Sequence, residues 1–354
     1  MSTPRNHTLL SILILSLVLI LAVAACSAAP NPGLPTGQPT AAGTTSQAAA
    51  KPTTQPVEPA TAAPAEATSA AAPPAAAPPK TEPTQAAPAA QTGPCEKESC
   101  VSDGLFLLQS PVGGSGRNTI QLTNRFGKYS ANLKGGYHGV SFLNSTGTPV
   151  VASADGEVVT AGDDTVTPYG PYKNLYGNLV ILKHNLPGYS DPVFTVYGHL
   201  SEIEVKVKDS VKAGQEIGKV GMSGSVKGSA LSFEVRLGEN SYLNASNPEL
   251  WLKPTSEDNG AFAGRIVDAK GDLVSMPNLT VQRLAGPGLP AIETFYLSTY
   301  AESKISGQKP WGENFAAGDL PAGSYKISFW LNGIQNYVVE VQGGKLTLLT
   351  FKVP

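Results

Sequence analysis

Short alternating segments separated by glycine turns dominate residues 101–254, and they restrict the fold more than any other feature of the sequence. The segments are rich in Val, Ile and Tyr, and the clearest are residues 150–152, 156–159, 179–184 and 194–197. Alternation with a period of two is typical of strands with one buried face. Because no stretch of this region has a sustained helical period, the sequence predicts an all-β fold, either an antiparallel sandwich or an open barrel.

A second small β domain is predicted over residues 259–354. Residues 320–329 and 337–341 alternate between apolar and polar positions. Gly-Arg-Ile-Val-Asp at 264–268 and Leu-Pro-Ala-Gly-Ser-Tyr at 320–325 resemble segments of the transthyretin-like or carboxypeptidase-regulatory-like module. This resemblance implies a β-sandwich that packs or binds, and the region shows no catalytic constellation.

The first 26 residues have the features of a secretory signal. A start that contains Arg5 precedes an apolar run at 9–25, which ends in small residues. Val-Ala-Ala-Cys at 23–26 resembles a bacterial lipobox, in which Cys26 is lipidated and becomes the mature N-terminus. This predicts an extracytoplasmic protein held at a bacterial membrane by its lipid. A simple signal peptide or an uncleaved membrane anchor are the alternatives.

Residues 27–93 consist mainly of Ala, Pro, Thr and Gln, with almost no large apolar side chain. Such a segment cannot bury enough surface to offset the entropy lost on folding, so it is predicted to be a disordered stalk. Cys95 and Cys100 follow it. With Cys26 lipidated, these two form one even pair in an oxidising compartment, and a local disulfide is the simplest prediction. Zinc binding is the rival interpretation, but no histidine lies nearby.

Residues 94–254 contain an ordered series of segments that resembles the LytM/lysostaphin-type (M23) peptidase domain. The series comprises residues 137–142, 147–158, 176–178, 196–201, 211–218, 221–224, 233–236 and 247–251. The resemblance implies a LytM-like β-sandwich or open barrel with a groove along the strand at 230–236. It also implies a zinc-dependent hydrolase of peptidoglycan cross-bridges, if the residues of the active site are present.

Most of those active-site residues are missing. The family's three metal ligands correspond to Tyr137, Ser141 and Ser232, and its two catalytic histidines correspond to Ala230 and His199. Only His199 has the side chain that the family requires. Alanine and serine offer zinc nothing comparable to histidine or carboxylate, and tyrosine is costly to ionise near neutral pH. The sequence therefore predicts a degenerate site without a cofactor.

A site rebuilt from other histidines is the alternative that would require zinc. His138 adjoins the first ligand position, but a shift of one residue would send its side chain to the opposite face of a strand. His184 is interpreted as a surface histidine at a strand end. His199 is interpreted as a buried histidine that bonds to backbone rather than as a ligand.

The predicted polar groove leads to the functional hypothesis. Its lining residues are expected to be Tyr137, His138, Asn178, Tyr197, His199, Ser232 and Glu234. We expect the domain to bind peptidoglycan or to regulate a cell-wall hydrolase, since some degenerate members of the family activate wall amidases. A net charge of −2 gives no reason to expect a nucleic-acid partner.

Two other functions remain open from the sequence. One is an active M23 metalloendopeptidase with an unorthodox site. The other is a non-enzymatic cell-envelope scaffold that uses exposed tyrosines of a Gly/Pro-rich insertion, namely Tyr169, Tyr172 and Tyr176.

Overall fold

The computed structural model describes residues 95, 97–129, 136–300, 305, 307–309 and 311–354. The predicted signal peptide, the lipidation site Cys26 and the stalk at 27–93 lie outside these residues. The described part of the chain is all β, which confirms the predicted fold class. Its helical segments are two 3-10 turns, Tyr242–Asn244 and Pro248–Leu250. Within these same ranges there is no helix with the length and apolar character needed to cross a membrane.

Eighteen strands make up the described part of the chain. Their bounds are β1 Ser99–Ser102, β2 Val140–Leu143, β3 Pro149–Val151, β4 Gly156–Asp163, β5 Asn178–His184, β6 Val193–Gly198, β7 Leu200–Ile203, β8 Ser210–Val211, β9 Glu216–Val220, β10 Ala230–Leu237, β11 Ala245–Ser246, β12 Asn259–Val267, β13 Leu279–Leu284, β14 Ala291–Leu297, β15 Phe315–Pro321, β16 Gly323–Trp330, β17 Ile334–Val341 and β18 Leu346–Lys352.

The largest sheet is antiparallel and is organised around β10. Its order is β11-β10-β6-β5-β4-β8, and β2 also pairs with β10. Successive side chains of a strand point to opposite faces, so Leu231, Phe233 and Val235 of β10 enter the apolar core. The small sheet β3-β9-β7 contributes further side chains to that core. The other face of β10 is left to polar residues.

The C-terminal strands form two four-stranded sheets, β1-β18-β12-β15 and β14-β13-β16-β17. Apolar side chains from both sheets fill a second core between them, as in a β-sandwich. Strand β12 runs parallel to β18 and antiparallel to β15. Alternation along β12 places Phe262 and Ile266 in this second core.

The sheet β1-β18-β12-β15 is buried on both faces. The opposite side chains of β12 and β18, including Ala261 and Leu348, join the first core together with Leu108 and Trp251. The two β regions therefore share one continuous apolar interface. The disulfide between Cys95 and Cys100 leads into β1, which pairs with β18. The sequence pattern did not indicate that the first strand joins the sheet formed by the last.

A carboxylate without a cationic partner is buried where the two β regions meet. Tyr300 Oη donates to one oxygen of Glu313 at 3.1 Å, and the backbone N–H of Gln308 donates to the other at 2.8 Å. Asn247, from the first region, donates to Tyr300 Oη at 3.1 Å. Among the described residues, no lysine or arginine forms an ion pair with Glu313. Burial raises the pKa of Glu313 to about 7.

This raised pKa predicts that Glu313 makes the protein less stable as pH rises. Between about pH 4.5 and 7 the folded state keeps a proton that the unfolded state releases, so the free energy of unfolding falls with increasing pH. The full shift corresponds to about 3 kcal/mol. We expect E313Q to flatten the slope over this range in urea unfolding series. As a control, D103N alters an exposed carboxylate that pairs with Lys345 and should retain the wild-type slope. Equal slopes in wild type and E313Q would contradict the assignment.

Candidate functional site

A groove of about 780 Å³ lies over the polar face of β10. Its lining includes Tyr137, Ser141, His199, Ala230, Ser232 and Glu234. Because Ser141 and Ser232 are cross-strand partners of β2 and β10, their side chains point to the same face of the sheet. The structure thus brings together Tyr137, Ser141 and Ser232, the residues predicted to occupy the metal-ligand positions, with Ala230 and His199, predicted to occupy the catalytic ones.

Three hydroxyl groups occupy the floor of this groove. Tyr137 Oη lies 2.6 Å from Ser232 Oγ and 3.0 Å from Ser141 Oγ, and both distances are those of hydrogen bonds. Asn124 also donates to Ser141 Oγ, at 3.4 Å. We call Tyr137, Ser141 and Ser232 the hydroxyl cluster. Tyr137 forms hydrogen bonds with both serines, so the polar groups of the floor are paired without a charged residue.

The hydroxyl cluster does not fit zinc. Zinc in proteins is held by imidazole, thiolate or carboxylate, and a phenol would have to ionise before it could compete with these ligands. Burial raises the pKa of Tyr137 to about 12, so the phenol keeps its proton at neutral pH. Serine hydroxyls are weaker donors still. The described residues also contain no group of three or more His, Cys, Asp or Glu side chains arranged to hold a metal ion.

His199 is held in place by backbone contacts. Its Nδ1 lies 2.9 Å from the carbonyl oxygen of Ser223, which can only accept, so Nδ1 carries the proton. Burial lowers the pKa of His199, and the ring is therefore neutral near pH 7, with its Nε2 lone pair available. The backbone of His199 has a φ of 66°, in the left-handed region that few non-glycine residues adopt. The ring is thus fixed in the groove wall, where Nε2 can accept a hydrogen bond from a ligand.

Two glycines make the local backbone around His199 possible. Gly177 and Gly224 both have positive φ, and they pack against each other through their main chains. A Cβ atom on Gly177 would lie 2.3 Å from the backbone nitrogen of Gly224. Any side chain at either position would therefore push apart the two turns that carry Ser223 and Asn178.

A buried ion pair forms one wall of the groove. Glu234 Oε2 accepts from Arg236 Nη2 at 2.9 Å, and Tyr176 Oη donates to Glu234 Oε1 at 2.6 Å. Arg236 is fully buried and also donates to the carbonyl of Tyr169 and to Asn240 Oδ1. Burial and the Glu234 charge raise the pKa of Tyr176 well above its usual value. Arg236 thus neutralises the buried carboxylate of Glu234 in the groove wall.

Three of the predicted groove residues do not line this groove in the structure. Tyr197 is a core residue, because it pairs across strands with Phe233 and shares the apolar face of the sheet. His138 is buried, bonds through Nδ1 to the carbonyl of Tyr242 and stacks on the Tyr242 ring. Asn178 donates to the carbonyl of Leu200 and stabilises the backbone. The prediction for these three side chains is corrected accordingly.

The surface assignment of His184 is wrong. The residue is fully buried, and its ring nitrogens bond to the carbonyl of Asp155 and to Thr195 Oγ1. Burial lowers the pKa of His184. His138 and His184 are therefore both engaged in structural contacts. These contacts remove the basis for a metal site built from His138, His184 and His199.

The proposed exposed tyrosines are also corrected. Tyr176 is buried beneath the groove, while Tyr169 and Tyr172 are half-buried and pack against the same small apolar cluster. They do not form an exposed docking surface. The Gly/Pro-rich insertion instead supports the groove wall, since Tyr169 offers its carbonyl to Arg236.

Sequence reasoning missed several residues of the site. Tyr242, Lys128 and Lys227 line the groove from outside the recognised segments, and only the tertiary fold brings them there. Arg236 was visible in principle, because it lies two residues from Glu234 and so projects from the same face of β10. A cation that lies two residues from a carboxylate on the same strand face can pair with it, and that spacing was the available signal.

Residues 135–245 match the model of Peptidase family M23, so the chain contains an M23-type domain. Two curated relatives align over the same region. The cell division protein DipM of Caulobacter vibrioides is 40% identical over 98 residues, which cover 28% of this chain and 14% of DipM. The murein hydrolase activator NlpD of Escherichia coli is 36% identical over 103 residues, which cover 29% of this chain and 24% of NlpD.

Among solved structures, the catalytic domain of lysostaphin from Staphylococcus simulans is 36% identical, with a TM-score of 0.30. That match covers 35% of this chain and 85% of the lysostaphin domain. The chain spans less than a quarter of the length of DipM and about a quarter of NlpD. The similarity therefore concerns the groove-bearing domain and not the relatives as whole proteins.

Proposed function

We propose that this protein is lipid-anchored on the extracytoplasmic face of a bacterial membrane and that its M23-type domain binds without hydrolysing. The ligand is peptidoglycan or a cell-wall hydrolase that the protein regulates. The observation that carries this proposal is the hydroxyl cluster at the family's metal-ligand positions. Protonated Tyr137, Ser141 and Ser232 bond to one another there, and none supplies a ligand that zinc prefers.

The groove supports a binding role in its own right. It has a volume of about 780 Å³ and a polar floor, so the groove is open although its floor carries no residue that zinc prefers. The neutral Nε2 of His199 can accept a hydrogen bond, and the hydroxyl cluster can both donate and accept. A peptide, which carries alternating donors and acceptors, suits such a lining.

The relatives give the cellular context. NlpD is by its name a murein hydrolase activator, and a role in the wall accordingly extends to this chain as a proposal. A lipid on Cys26 and an extended stalk at 27–93 would carry the folded part away from the membrane. A folded domain held at a distance from the membrane could contact a polymer that lies outside it.

A sedimentation assay tests the proposal. Full-length protein without a histidine tag is expected to sediment with purified sacculi, to release no soluble peptide fragments and to contain no stoichiometric zinc. A lysostaphin-type peptidase on the same sacculi is the positive control for cleavage.

Two outcomes would count against the proposal. Chelator-sensitive release of fragments would establish an active M23 metalloendopeptidase instead. If the protein neither bound sacculi nor captured purified wall hydrolases, the proposal would be wrong. The scaffold hypothesis would then be favoured.

A further inference from the structure

A second cavity adjoins the groove and reaches the C-terminal β module. It has a volume of about 310 Å³ and lies between the segment around Phe126 and the ends of β13 and β14. Lys128 and Tyr129 line both this cavity and the groove. The two cavities therefore adjoin at these two side chains, so an elongated ligand that passes over Lys128 and Tyr129 would reach both.

Among the described residues that line the two cavities, the side chains with an unpaired charge are lysines. Lys128 and Lys227 line the groove, and within the described ranges neither forms an ion pair. The groove's carboxylate, Glu234, is neutralised by Arg236 at 2.9 Å, and Arg125 of the second cavity is neutralised by Glu249 at 3.0 Å. The charged side chains left unpaired are Lys128, where the two cavities adjoin, and Lys227, which lines the groove. This distribution favours a ligand that carries carboxylates.

The second cavity has a different chemistry from the groove. Tyr296 of β14 lines it and is 64% exposed, and the shared Tyr129 is 71% exposed. Neutral hydrogen-bonding side chains, Ser275, Asn278 and Ser298, lie beside them. An exposed tyrosine ring offers an apolar face with a polar tip, and the neighbouring hydroxyl and amide groups can fix orientation. A sugar ring, with its C–H face and hydroxyl edge, is complementary to such a surface.

We propose that the C-terminal module holds a sugar subsite, and that a sugar-linked acidic peptide spans it and the groove. The peptide arm lies over the hydroxyl cluster, its carboxylates face Lys128 and Lys227, and the sugar stacks on Tyr296. This inference rests on the proposed function, because it assumes that the groove takes a wall peptide. It goes further in giving the C-terminal module a role in recognition and in naming the two halves of the ligand.

Calorimetric titration of the full chain with two probes tests the proposal. One probe is a disaccharide-tetrapeptide muropeptide, and the other is the same tetrapeptide without sugar. Y296A is expected to weaken muropeptide binding about tenfold and to leave binding of the free peptide unchanged. K128E is expected to weaken both about tenfold, because it reverses the charge at the junction. W330A is the matched control, since Trp330 is 72% exposed on the same module and lines neither cavity.

The outcomes separate this inference from the function on which it rests. If both probes bind equally well and Y296A behaves like W330A, the sugar subsite is overturned while a peptide-binding groove stands. If neither probe binds the wild-type chain, the sugar subsite and the peptide-binding groove are both overturned, while regulation of a wall hydrolase is decided by the capture assay. Thermal unfolding of each variant checks that the exposed substitutions leave the fold intact.

Discussion

The triple variant Y137H/S141D/S232H is expected to bind one zinc ion per chain, whereas the wild-type protein binds none. The side chains at these three positions already converge, with hydroxyl separations of 2.6 and 3.0 Å. Zn–N and Zn–O bonds of 2.0–2.2 Å in a tetrahedron place neighbouring ligand atoms about 3.3 Å apart. The three side chains therefore converge on one point at nearly the spacing of a zinc ligand set. Metal analysis after dialysis against a weak chelator measures the effect.

Matched variants separate a rebuilt site from adventitious zinc. Y137F/S141A/S232A changes the same positions without adding ligands, and it should remain free of metal. Adding A230H to the triple variant places a histidine at the predicted second catalytic position and is expected to raise zinc-dependent cleavage of a peptide cross-bridge above that of the triple variant. A folded triple variant that takes up no zinc would show that the ligand positions have been assigned wrongly.

Replacing Arg236 by alanine is expected to lower the free energy of unfolding by about 3–5 kcal/mol. The substitution leaves the Glu234 carboxyl group buried, at 1% exposure, without the cation that compensates its burial. It also removes hydrogen bonds to Tyr176 and Asn240. Urea unfolding at pH 7 measures the loss.

An exposed ion pair supplies the control for this prediction. Lys212 and Asp155 lie 2.7 Å apart, but their side chains are 82% and 61% exposed, so K212A should destabilise the protein far less than R236A. The double variant E234Q/R236M removes both charges of the groove wall and is expected to recover part of the stability lost in R236A. If R236A proved no more destabilising than K212A, the groove wall would have to be hydrated in solution.

The alternation along β10 made part of the site predictable from the sequence. Once Leu231, Phe233 and Val235 were assigned to the core, Ala230, Ser232 and Glu234 had to face the opposite side. That local rule needs no knowledge of other strands. It does not extend to Tyr197, because its face depends on which β10 residue it pairs with, and the pairing with Phe233 is a matter of tertiary register.

Other positions could not be predicted because distant segments decide their environment. His184 ends β5, a position usually near solvent, yet the backbone of Asp155 and the side chain of Thr195 cover it. Tyr176 lies in a Gly/Pro-rich insertion and was predicted to be exposed, but its hydroxyl forms hydrogen bonds with the buried Glu234 and Arg236. In each case a hydrogen bond across many residues overrides the local pattern.

The pairing of β1 with β18 affects the order in which the molecule can fold. The contact joins Ser99–Ser102 to the last described strand, so the closing sheet cannot form until β18 has been synthesised. Contacts of such large sequence separation slow folding, because a long loop must be ordered before they form. Until then the apolar face around Trp251 and Leu108 lacks its cover. The groove-bearing domain therefore completes its fold late and needs protection from aggregation until then, and a premature stop codon anywhere before β18 would disable it as surely as a change in the groove.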